Sequence, residues 1–200
     1  MPSRTNSVLF ALGVLVLSGE GGAAAAQDAQ LAGPVVPGVC LISQEAVFAN
    51  AKVGQAATAR LRQLAQAPAA SLNVERQAIE ADAKTLDGQK ASLPAAQFRE
   101  RQQALVERGQ AYQAKEQSLA HQIDATRQKA INQIAQAAQP IVAQAYQQHG
   151  CGLLFSRETL LAGNMANDLT ATVVQGLDAK MTTLTFDLEP PPPPSGAPAQ

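Results

Sequence analysis

Two apolar series with a seven-residue step lie in mirror order about a short proline-containing stretch, and no other feature of this 200-residue chain restricts its fold so strongly. Leu72, Ile79, Leu86 and Leu93 make the first series, and Phe98, Leu105, Tyr112 and Leu119 the second. A seven-residue period lays one apolar stripe along a helix that packs on a partner as a coiled coil. Between the series stands SLPAAQ, residues 92–97, where Ser92 can cap a helix and Pro94 can occupy its first turn. Folding the chain there sets Leu93 beside Phe98, Leu86 beside Leu105, Ile79 beside Tyr112 and Leu72 beside Leu119. The mirror predicts an antiparallel helical hairpin over 51–148 with its tip near 92–97. Its arms of roughly 40 to 50 residues would reach ~60 to 75 Å at about 1.5 Å per residue. With one strong apolar residue per heptad the seam is thin, so the arms should bend and part readily. Pro68 interrupts the first arm and Pro140 the second, and each should kink or break its helix. Pro68 falls within the arm and is a hinge candidate, as is Pro140 at the base.

The ends of the chain read differently. VCLIS, from Val39, is short, apolar and partly β-branched, which suits a buried strand, and EAVFAN then switches to a helical pattern. After the second arm Gly150 is a helix stop, and CGLLFS forms another strand-like run. NDLTATVVQGLDAK offers Asp168 as the cap of a short helix, and MTTLTFDL alternates in the manner of a third strand. The fold class expected is mainly α with a small β body (α+β), the long hairpin being inserted between the first two strands. Residues 38–50 and 149–188 make the body, 27–37 a flexible lead-in and 189–200 a proline-rich disordered tail. A body this small, with 4% aromatics and no Trp in the chain, needs association to be stable. Open strand edges at Val39, Leu41, Ile42, Leu153, Leu154 and Phe155 supply the surface, and the strand at 39–43 is expected to gather the hairpins.

The N-terminus, MPSRTNSVLFALGVLVLSGEGGAAAAQ, has one Arg, an apolar run and small residues at Ala24 and Ala26, the layout of a signal peptide ending at 26. The apolar run of about ten residues falls short of the about 20 that span a bilayer, so a soluble exported protein is expected. Cys40 lies too far beyond that run for lipidation to be the better reading. In an oxidising compartment Cys40 and Cys151 are candidates for a disulfide, the alternative being two buried thiols. The net charge is −1 and stays there once Arg4 and Glu20 leave with the leader, so no nucleic-acid partner is implied. His121 and His149 stand apart from any ligand or catalytic spacing, and no phosphate loop or nucleophile elbow occurs. No enzymatic chemistry, metal or cofactor is therefore read. Glu75/Arg76, Glu100/Arg101 and Glu107/Arg108 read as a solvated helix face.

VCLISQEAVFANAKVGQAATARL resembles the opening of the Skp/OmpH family of periplasmic chaperones, in its short strand, its helical "VF" and its Gly a few residues on. The order continues with a long hairpin, a proline late in the second arm (Gln139-Pro140-Ile141), a Gly-led strand and an Asp-Leu-Thr helix start at NDLTATVV, over about residues 38–180. The resemblance implies a homotrimer in which a β body carries three helical tentacles around a cavity for unfolded outer-membrane β-barrel proteins, held without ATP. On that reading the eight heptad residues are either seam or contacts for a client. Two features depart from the family. The tip ASLPAAQF carries no charge, which argues against membrane or lipopolysaccharide contact there, and the MTTLTFDL segment and polyproline tail have no family counterpart. Two other classes remain open. One is a structural coiled-coil component or adaptor bridging to another envelope protein; the other, a redox protein, lacks a CxxC pair.

Overall fold

A computed structural model describes residues 33–191; the leader 1–26, the start of the lead-in (27–32) and the tail from 192 lie outside the described residues. The elements run β1 (Val39–Ile42), α1 (Gln44–Asn50), α2 (Lys52–Gly88), α3 (Ala95–Gln148), β2 (Leu153–Ser156) and α4 (Thr170–Lys180). The protein is thus mainly helical with a two-stranded sheet. β1 and β2 pair in parallel, Val39 opposite Leu153 and Ile42 opposite Ser156. Parallel neighbours need a crossover connection, and here the whole hairpin serves as that crossover.

Local chemistry explains the joints. Ser43 ends β1 and caps α1, its hydroxyl accepting from the Ala46 N–H at 3.0 Å. At Ala51 the backbone turns extended (ψ 141°), so α2 starts afresh at an angle that α1 could not reach by continuing. The first N–H of α2 is capped from a distance, Lys52 donating to Asp178 of α4 at 2.7 Å. The second arm ends in a Schellman motif: Gly150 takes φ 62°, its N–H bonds Gln147 O, and Cys151 N–H bonds Tyr146 O. That turn delivers Cys151 and then β2 to β1, where Gly152 and Leu153 both donate to Gly38 O. Cys40 and Cys151 are joined in a disulfide with their Cα atoms 5.7 Å apart.

The core lies where the hairpin meets the body. Val53, Ala57, Ile134, Ala138 and Ala145 from the arms pack with Ile42, Val47, Leu169, Val173 and Leu177. The small residues on α2 and α3 let the helices approach closely. The limit is Gly54, where a Cβ would sit 1.8 Å from the carbonyl oxygen of Phe48.

Four expectations are corrected. Neither proline breaks its arm, since α2 runs through Pro68 and α3 through Pro140. A proline on an arm removes one hydrogen bond, and the carbonyl it frees can turn to water. Ser92 caps nothing on α3; its hydroxyl bonds back to Gln89 O, and Pro94 takes the N-cap position. The helix at 170 begins two residues after Asp168, whose carboxylate nevertheless accepts the Thr170 N–H at 2.8 Å. The third strand does not form. Residues 181–191 join no sheet; side chains of the arms reach two of their backbone groups, the Phe186 carbonyl and the Glu189 N–H.

Candidate functional site

Two surfaces remain for function: the strand edge of the body and the arms. The six residues expected at strand edges divide into inner and outer sets. β1 has β2 on one side and the Leu41–Asp168 bridge on the other, with Leu169 N–H donating to Leu41 O at 2.8 Å. Its Leu41 and Ile42 are buried and Val39 is partly so. Among the described residues β1 thus has a neighbour on both sides, β2 along its length and Asp168 at one bridge, which leaves β2 as the strand with an open edge. β2 has only β1 beside it among the described residues, and Leu153, Leu154 and Phe155 are 55%, 36% and 42% exposed. An apolar strand of this kind with a free edge is a template for another chain. Leu154 also borders an apolar pocket of about 280 Å³ formed with Ile42, Val47, Phe48, Ile134 and Val142.

A polar network fixes the loop that follows β2. Ser43 N–H donates to Thr170 Oγ1 at 2.9 Å, while Ser43 Oγ donates to Glu158, which Ser156 also reaches. Arg157 pairs with Asp168 at 2.9 Å. Hydrogen bonds from Ser156 and Ser43 bring the Glu158 carboxyl from 4.5 down to about 2. Because the folded-state value is the lower one, this contribution is complete above pH 4.5 and fades as pH falls toward 2. The expected result is a loss of urea resistance on acidification through that window, with a shallower slope for Glu158→Gln; identical slopes would remove Glu158 from the account.

On the arms, two of the four mirror pairs, Leu86 with Leu105 and Leu72 with Leu119, share surfaces. Leu86 and Leu105 line one groove, and Leu72, Tyr112 and Leu119 another. Only Leu86 of the eight heptad residues is buried; Leu72, Ile79, Leu93, Phe98, Leu105, Tyr112 and Leu119 all remain partly accessible. Polar side chains of the solvated face also link the arms: Arg108 to Asp82 at 2.5 Å, Lys115 to Glu75 at 2.8 Å and Arg101 to Gln89 at 3.0 Å. Such exposed ion pairs contribute about 0–1 kcal/mol each, so they set register more than strength. Tyr112 donates to Glu116 on its own helix at 2.6 Å, and this bond first, with burial and the nearby carboxylate, holds its phenol above the usual value. No helix among the described residues is long and apolar enough to cross a membrane.

A two-stranded parallel body whose crossover is a long helical hairpin, open along one apolar strand, defines an α+β hairpin protein of the tentacle type. The family model for outer membrane protein (OmpH-like) matches residues 38–177, and the chain belongs to that OmpH-like family. It is similar to a crystal structure of a candidate outer membrane chaperone (OmpH-like) from Caulobacter crescentus CB15, at 36% identity and a TM-score of 0.66. That similarity covers 80% of this chain and 94% of the other. No curated protein is significantly similar in sequence.

Proposed function

We propose that the protein is a periplasmic chaperone of the holdase type: exported by a cleaved leader, assembled as a homotrimer, and binding unfolded outer-membrane β-barrel proteins between its arms without ATP. Membership of the OmpH-like family supports the chaperone role in general. The observation that carries the finer reading is the partial exposure of the heptad stripe, seven of whose eight residues stay accessible in the folded hairpin. A seam that leaves its own apolar side chains half open offers many weak contacts along an arm. Weak distributed contacts hold an unfolded chain and still release it. Self-association through β2 would cover Leu153, Leu154 and Phe155 and leave the arms projecting, with Pro68 and Pro140 as the places where they flex.

The decisive test is aggregation of a denatured outer-membrane β-barrel protein on dilution. The chain from Gln27 should suppress it at about one trimer per client, and no suppression at large excess would end this reading. Association is tested separately by light scattering. Leu153→Asp with Phe155→Asp places like charges along the free edge, and the mass should drop from about three chains to one; an unchanged mass would move the interface away from β2.

A further inference from the structure

The family match ends at residue 177, yet the chain continues in a fixed course to residue 191. This terminal segment lies across both arms near their base. On the α2 side Arg60 donates from Nε to Phe186 O at 3.2 Å and from Nη2 to Asp187 at 3.0 Å. On the α3 side Glu189 N–H donates to Thr126 Oγ1 at 2.9 Å, and Lys129 reaches the Glu189 carboxylate at 2.6 Å. Met181, Leu184 and Phe186 pack on the core, and Phe186 borders a partly open groove of about 180 Å³ whose floor is Phe48, Ala57, Leu61 and Ala130, with Thr58, Arg62 and Arg127 also lining it.

This geometry holds a segment that belongs to no sheet by two general features. Backbone groups are met by Arg60 and Thr126 side chains rather than by a strand. Side chains alternate, Leu184, Phe186 and Leu188 turned partly inward while Thr183, Thr185 and Asp187 are exposed. A site that reads backbone and a two-residue apolar period suits any segment with that pattern, and strands of membrane β-barrels carry it. One of its fastenings is weak, for Asp187 is 86% exposed and its partner Arg60 33%.

We infer that the groove at the base of the arms is a binding subsite for extended segments of unfolded β-barrel proteins with alternating apolar residues, and that residues 181–189 occupy it as an internal competitor. The inference rests on the client-holding reading above. A tethered competitor acts at an effective concentration on the order of millimolar, so it screens out weak segments and yields to clients that engage several sites at once.

The probe is a fluorescein-labelled peptide copying residues 181–190, followed by anisotropy on the full chain from Gln27. Two variants release the segment from its own side only, Leu184→Ser with Phe186→Ser, and Asp187→Lys with Glu189→Lys; the second leaves the packed face intact should the first not fold. At least one folded variant is expected to bind the peptide about tenfold more tightly than the unaltered chain and to need less protein per client in the aggregation assay, with added peptide reversing that gain. If peptide binding rises while all proteins hold clients equally, the groove serves only its own segment, and the inference is overturned while the holdase reading stands. If all proteins hold clients equally and none binds peptide, the inference is overturned and the holdase reading stands. Lowered thermal stability with unchanged peptide and client binding also overturns it, leaving the segment as a brace.

Discussion

Gly54→Ala is expected to unfold the base of the hairpin. The added methyl would meet the Phe48 carbonyl oxygen at 1.8 Å and its carbon at 2.8 Å. Both atoms are backbone, so no rotamer change relieves the contact, and α1 would have to move away from α2. That displacement opens the core around Val47, Ala51 and Val53, which are 6%, 0% and 0% exposed. Ala is the better helix former by about 1 kcal/mol, but overpacking against a rigid backbone costs up to about 3 kcal/mol or more, so the clash should dominate. Gly109→Ala is the matched control. It lies inside α3 with nothing within 4 Å of its added Cβ, so there the propensity term acts alone and the hairpin should gain up to about 1 kcal/mol. Urea midpoints of the two variants should therefore move in opposite directions. A Gly54→Ala protein as stable as the parent would mean that α1 and α2 are not held as close as described.

Opening the Cys40–Cys151 bond should have an effect of similar size for a different reason. The bond spans 111 residues of sequence and thus closes a loop containing the entire hairpin. On the chain-entropy account, releasing such a loop frees the unfolded state by ~4 to 5 kcal/mol. Cys40 is 1% exposed, so Cys40→Ala with Cys151→Ala also removes packed sulfur and should cost somewhat more than reduction alone. Denaturation with and without dithiothreitol, beside the double variant, measures both quantities. The effect should concentrate in the body, because the seam of the distal arms forms between residues close to the turn and owes nothing to the bond. Reduction that left the denaturation midpoint unchanged would remove the disulfide as a stabiliser of the body.

The two substitutions probe layers of the fold that differ in how far sequence reveals them. The hairpin was legible because its determinant is local and repeated: a seven-residue step fixes a helical stripe, and the reflection of that step about one turn fixes which residues face each other. The strands were legible as short apolar runs, and the helix stop at Gly150 from a glycine needed at positive φ. The rest depended on what each element meets. A period of two in MTTLTFDL suggests a strand, but a strand also needs a sheet edge to pair with, and here the segment instead lies against the arms, bonded by Arg60 and Thr126. A proline can break a helix, yet α2 runs through Pro68. The charged residues of the arms are solvated, but their pairing could not be read, since Glu75 and Lys115 lie 40 residues apart in sequence and become neighbours only when the chain reverses.

The sequence by itself thus determined the hairpin, the existence of two short strands and the membership of the OmpH-like family, because each is written in patterns within a few turns or in the order of such patterns. Only the tertiary structure decided that β1 is interior and β2 the open edge among the described residues, that Gly54 is a point of backbone contact, and that the segment after α4 is tied to both arms. These are relations between residues tens to more than a hundred positions apart, set by close packing and by hydrogen-bond groups that must find partners, and no local period encodes them.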